Sequence, residues 1–215
     1  MKYKIGYIDE DKKQFNRIER KLRPFFDVAG YNVQDGPSID KLLKEIYDSD
    51  IDLLMVDYLM KDSGIVAFNG DEVVRRYETI KPRFPAIIFT NEEDSAFPHV
   101  DNPNIIYDKK EIDQDLNHFA RVIEKNIKFY VDFVQNKKND LEQLLEKQST
   151  SRLTPHEKNQ LIETQIELNS LDTWKKPEAP FQLLAPESEE ALVALRKEAE
   201  DLLQSIIKDT QNGKI

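Results

Sequence analysis

The chain has 215 residues, 39% of them hydrophobic and 33% charged, with a formal net charge of −10. That length suits two small domains, or one domain with an extension, because single domains cluster near about 100 to 150 residues; the acidic balance opposes direct DNA binding, which depends on Lys and Arg displacing counterions. There is no cysteine, which excludes disulfides and thiolate metal sites, and no apolar run has the length of a signal peptide or a membrane span, so a soluble, cytoplasmic protein is expected.

In chain order, Tyr3 to Ile8 reads as a first strand. Lys12 to Phe26 then carries Phe15, Ile18, Leu22 and Phe26 at helical spacing, and a weaker strand is expected near Asn32 to Gln34. Ser38 can cap a helix bearing Ile39, Leu42, Leu43 and Ile46. The apolar run within Ile51 to Asp57 marks a strand buried on both faces. Gly70 to Ile80 reads as a helix through Val73, Val74 and Tyr77, and Ala86 to Phe89 and Ile105 to Tyr107 are two further strands. Pro98 and Pro103 interrupt the acidic stretch between Thr90 and Asn104, so only an abbreviated turn is expected there. The alternation predicts an α/β domain over about 1–125 with a five-stranded, parallel, doubly wound sheet.

Beyond Glu111 the pattern becomes helical throughout. Leu116, Ala120, Ile123, Ile127, Tyr130, Val134, Leu141 and Leu144 alternate spacings of three and four, broken only at Lys137, which predicts one helix to about Gln148. Such a helix spans roughly 50 Å at 1.5 Å per residue, so its second half is expected to leave the globular body. Thr154, Pro155 and Glu157 form a helix start with a capping box, and that helix continues through Leu161, Ile166 and Leu168 to about 171. A proline-rich linker over 173–187 holds Trp174 and Phe181, and Leu192, Leu195, Ala199, Leu202 and Ile206 stripe a last helix over about 188–210. Residues 126–215 are thus expected to be an all-α, partly coiled-coil extension.

Polar groups collect where the strands end. Asp9 and Glu10 follow the first strand, Asp57 the third, and Thr90 and Lys109 close the last two. The carboxyl ends of adjacent strands form the ligand crevice of an open α/β sheet, so five polar groups converge there. Clustered carboxylates need a cation, and an all-oxygen site suits Mg2+. With its neighbours holding the metal and the phosphoryl oxygens, Asp57 can act as a carboxylate nucleophile.

Ile5 to Asp11, Leu53 to Met60, Ile87 to Asn91 and Ile105 to Lys109 resemble the four signature blocks of response-regulator receiver domains, in the family's order and over about half the chain. The resemblance implies a flavodoxin-like fold. It also implies that Asp9 and Glu10 bind Mg2+, Asp57 accepts the phosphoryl group, Thr90 is the switch hydroxyl, Lys109 contacts phosphate, and the main-chain carbonyl of Leu59 is a further metal ligand. A histidine kinase or phosphotransfer protein is then the upstream partner, with a downstream protein target met through the helical region and pairing of two copies left open. No enzymatic activity beyond self-catalysed phosphoryl transfer at Asp57 is expected, and no nucleic acid or membrane partner.

Departures from the family pattern are specific. Lys61 follows Met60 where proline is usual, and Asn69-Gly70 lies about five residues late, which makes 62–69 an insertion suited to a lid or a partner contact. Ile106 stands where many receivers carry a switching aromatic, with Tyr107 beside it. Competing readings are a phosphorylation-independent scaffold whose helices oligomerise, and a Mg2+-dependent phosphatase. The phosphatase reading ranks last, because Leu59 stands where its second catalytic aspartate is expected. His156 sits in the first turn of its helix, unlike the phosphorylated histidine of sensor kinases.

Overall fold

In the computed structural model the described residues are 2–176; the expected helix over about 188–210 and most of the proline-rich linker lie outside them. The chain divides into one unit of Met1–Asn136 with Ser170–Trp174 and another of Lys137–Asn169 with Lys175–Ile215.

The first unit is built on strands β1 (Lys4–Ile8), β2 (Asp27–Gly30), β3 (Leu53–Val56), β4 (Ala86–Thr90) and β5 (Ile106–Asp108), all parallel, in the order β2-β1-β3-β4-β5. Helices α1 (Lys12–Leu22), α2 (Ile39–Asp48) and α3 (Gly70–Ile80) connect the first four strands, and the single-turn α4 (Glu93–Ala96) precedes β5. The fold is therefore the flavodoxin-like doubly wound sheet that was expected, with the abbreviated fourth helix. Successive strand residues face opposite sides of the sheet. Ile8, Leu54, Val56 and Ile88 pack against α2 and α3, while Ile5, Tyr7, Leu53, Met55, Ile87 and Phe89 pack against α1 and the start of the long helix.

The second strand lies earlier than Asn32–Gln34. Pro24 cannot continue a helix, so α1 stops at Leu22, the chain turns with Phe25 N–H donating to the Leu22 carbonyl, and Asp27 N–H reaches the Tyr3 carbonyl at 2.9 Å to begin pairing with β1. Tyr31 and Val33, in and beside the expected strand, are buried loop residues in the core on the α2–α3 side.

A single turn, α5 (Glu111–Gln114), is followed by the long helix α6 (Leu116–Thr150). Asp115 separates the two, and its carboxylate accepts from the N–H of His118 at 2.8 Å. The apolar stripe of α6 is occupied within this chain. Ala120, Ile123 and Ile127, joined by Phe119, cover the sheet, whereas Leu141, Leu144 and Leu145 lie in a separate small core with Leu153 and Leu161. That core belongs to the second unit, a hairpin of the end of α6 and α7 (Pro155–Ser170). The buried face of α7 differs from the expected stripe: Thr164 and Gln165 are buried beside Leu161, and Ile166 is 56% exposed.

The capping box at the start of α7 forms as expected. Thr154 Oγ1 accepts from the Glu157 N–H at 3.3 Å, and Glu157 Oε2 accepts from the Thr154 N–H at 2.9 Å. The ammonium of Lys147 pairs with the same carboxylate, and it, with the Thr154 N–H, pulls the Glu157 carboxyl down to about 2. A carboxyl whose folded-state pKa is depressed stabilises above its unfolded value and loses that contribution as pH falls through the folded one. Thr154→Ala is expected to cost about 1 kcal/mol in urea unfolding. Glu157→Gln should lower stability near pH 6 and leave it unchanged below about pH 2.

Ser170–Trp174 closes on the first unit. The Thr173 N–H donates to the Ile80 carbonyl at 2.8 Å, the Tyr47 hydroxyl donates to Asp172 at 3.0 Å, and the Trp174 and Tyr47 ring centroids lie 5.0 Å apart. No described helix is long and apolar enough to cross a membrane.

Candidate metal and phosphoacceptor site

Parallel pairing brings all five strand ends to one edge of the sheet. The Asp57 N–H donates to the Ile8 carbonyl at 2.9 Å, which fixes the residue after β3 beside the residue after β1, and the Lys109 N–H donates to the Thr90 carbonyl at 2.9 Å. Asp9, Glu10, Asp57, Leu59, Thr90 and Lys109 thereby line one open cleft of about 190 Å³, together with Asp11, Gln14, Asn91 and Glu92. The cleft sits where strand order reverses between β1 and β3, the usual ligand position of a doubly wound sheet.

Asp9, Asp57, Thr90 and Lys109 are all buried. Lys109 Nζ lies 2.8 Å from Asp9 Oδ2 and 2.9 Å from Asp57 Oδ1, so one ammonium bridges two carboxylates. Burial works to lower the Lys109 pKa, but the charges of Asp57 and Asp9 outweigh it and the net shift is upward. The Asp57 carboxyl moves up because it is buried, with Lys109 opposing. Burial, with the negative charges of Asp57 and Asp9, pushes Glu10 up to about 7. Carboxylate oxygens of Asp9, Glu10 and Asp57 all lie within 4.8 Å of one another, and Glu10 Oε2 is buried without a hydrogen-bond partner. An all-oxygen set with excess negative charge and an orphaned carboxylate oxygen is what a hard divalent cation satisfies, so these residues fit Mg2+. Thr90 Oγ1 accepts from the Glu92 N–H at 3.1 Å, which anchors the loop after β4.

Two features of the loop after Asp57 were not legible in the sequence. The 62–69 segment is no lid: Val66 and Phe68 are buried in the core, and Asn69 Oδ1 accepts from the Lys61 N–H at 2.9 Å, closing the loop onto itself. Gly70, the first residue of α3, lies so close to Asp57 that a Cβ there would meet the Asp57 carbonyl oxygen at 2.2 Å, while its N–H donates to the Tyr58 carbonyl at 2.9 Å. Gly70→Ala must displace either α3 or the Asp57 backbone. It should cost about 1 to 3 kcal/mol in denaturant unfolding.

The strand register also decides the aromatic question. Ile88 pairs with Ile106 and Thr90 with Asp108, so Ile106 shares the Thr90 face of the sheet. Tyr107 lies on the other face, edge-on to Phe119 with ring centroids 6.2 Å apart. No aromatic side chain of β5 can follow the Thr90 hydroxyl.

No family model matches the chain, and no curated protein sequence matches it. Solved structures do. The chain is similar to a structure described as an adenylate cyclase from Rhodopirellula baltica, 23% identical, covering 66% of this chain and 98% of that one with a TM-score of 0.50. It is also similar to the signal receiver domain of an HD domain-containing protein from Pseudomonas fluorescens Pf-5, 15% identical, covering 61% and 93% with a TM-score of 0.47. A third is the BeF3-activated DrrB receiver domain, 19% identical, covering 49% and 91% with a TM-score of 0.35. At these identities the likeness is one of fold. The first unit has a flavodoxin-like α/β fold, with an acidic cluster at its strand ends.

Proposed function

We propose that the chain is a two-component response regulator of the cytoplasm, in which Asp57 accepts a phosphoryl group from a histidine kinase or phosphotransfer protein. The observation that carries this reading is the Asp57 carboxylate at the mouth of the cleft, with one oxygen on Lys109 and with Asp9 and Glu10 alongside. An Asp57 carboxylate oxygen forms the new O–P bond as the donor's P–N bond breaks, and the electron pair leaves with the imidazole nitrogen. Asp9, Glu10, Asp57 and the Leu59 carbonyl would hold Mg2+, which supplies charge neutralisation for the transferring oxygens. Lys109 donates to the phosphoryl oxygen that replaces part of its present pairing, and the Thr90 hydroxyl offers a second donor. No other catalytic activity is assigned, and hydrolysis of the acyl phosphate returns the site to its starting state.

Output runs through protein contacts of the helical region, and the acidic chain does not bind DNA directly. A second reading, a phosphorylation-independent scaffold, is favoured by one observation: Ile106 occupies the Thr90 face where an aromatic switch would sit. Incubating the full chain with Mg2+ and radiolabelled acetyl phosphate tests the main reading. One phosphoryl group per chain, labile to hydroxylamine, is expected; an unlabelled, folded protein would leave the scaffold.

A further inference from the structure

We infer that Tyr7 is a positioning residue for the metal site, its hydroxyl fixing the carboxylate of Asp9 so that one oxygen is kept for the cation. The inference rests on the Mg2+ reading above. Tyr7 and Asp9 are two apart, so β1 and its continuation point them to the same side. Tyr7 is fully buried, and its hydroxyl donates to Asp9 Oδ2 at 2.5 Å. Lys109 Nζ donates to that same oxygen at 2.8 Å, and the Asp11 N–H donates to Oδ1 at 2.9 Å. A carboxylate oxygen has two lone pairs. Oδ2 is therefore filled by two donors from different strands, and Oδ1 keeps capacity for a further ligand.

The phenol is itself held on both sides. Phe15 stacks on it with centroids 5.4 Å apart and planes 15° apart, and Phe89 meets it edge-on at 6.4 Å. Gly30 leaves room for this ring, since a Cβ there would meet Phe15 at 2.3 Å. Without the hydroxyl, Asp9 Oδ2 would answer to Lys109 alone, and that ammonium is shared with Asp57 at 2.9 Å. The carboxylate would then follow the lysine, not the cation. A neutral donor clamped by two aromatic rings prevents this without adding charge to the cluster.

Tyr7→Phe keeps the ring and its packing, and removes only the donor. Mg2+ binding to the full chain, measured by isothermal titration calorimetry on variants shown to be folded, gives a readout independent of phosphorylation. Removing a hydrogen-bond partner of a metal ligand typically weakens metal affinity by about 10- to 100-fold, and Tyr7→Phe is expected at the lower end of that range. Tyr77→Phe serves as control, because it removes a buried hydroxyl that has no partner among the described residues and lies outside the cleft; it should bind as the wild type does. Tyr7→Phe binding as tightly as the wild type, or more tightly, would overturn the positioning role while leaving the metal site standing. A wild type that binds no Mg2+ would overturn the metal site, and this role with it.

Discussion

Asp57→Asn is expected to abolish labelling by acetyl phosphate completely while leaving the protein folded. The amide nitrogen cannot replace the anionic oxygen as nucleophile, and Asp9, the other carboxylate of the cleft that meets Lys109, already has its Oδ2 taken by Lys109 and the Tyr7 hydroxyl. The stability side of the result separates chemistry from collapse. Burial raises the Asp57 carboxyl, and a raised folded-state pKa means that ionisation costs stability as pH rises through it. Replacing the ionised group by a neutral amide removes that cost along with part of the Lys109 pairing, so urea unfolding without Mg2+ should change by no more than about 1 kcal/mol. Persistent label on the Asp57→Asn protein would relocate the acceptor.

Lys109→Met should be the most destabilising change at the site. Its ammonium is the counter-charge to both Asp9 and Asp57, and methionine fills similar volume with no charge. Breaking a buried ion pair by deleting one partner costs about 3 to 5 kcal/mol, because the remaining charge stays buried and unpaired. The Asp57 and Glu10 carboxyls, already raised by burial, then hold their protons more tightly still. Stability should therefore be lost progressively as pH rises, with the wild-type to mutant gap wider near pH 8 than near pH 5. Added Mg2+ should recover part of the loss in the variant by supplying the missing positive charge. A gap that is flat across pH would show that Lys109 contributes packing and not charge.

The sequence carried the periodic features well. Strand runs at the β1, β3 and β4 positions, the α2 and α3 stripes, the Thr154 capping box and the truncated α4 all follow from local chemistry, because apolar spacing, N-cap oxygens and proline act within a few residues. The second strand was placed near Asn32–Gln34, whereas backbone pairing with β1 begins at Asp27, a choice of register that local sequence does not carry. Ile166 was misassigned because apolar character alone does not fix which face of a helix is buried: here Thr164 and Gln165 are buried beside Leu161 and Ile166 is 56% exposed.

By itself, then, the sequence determined that this chain builds a parallel sheet with Asp9, Glu10, Asp57, Thr90 and Lys109 at its strand ends, since strand, helix and turn signals are local. The tertiary structure alone decided what those residues meet. Contacts between positions 100 residues apart, such as Lys109 on Asp9, depend on strand order and register. The same applies to the Tyr7 hydroxyl on Asp9, the Gly70 backbone under Asp57, Ile106 in place of Tyr107 on the Thr90 face, and the core-anchored 62–69 loop. Each is a matter of which face a side chain takes once the sheet has closed, and no short-range pattern encodes that choice.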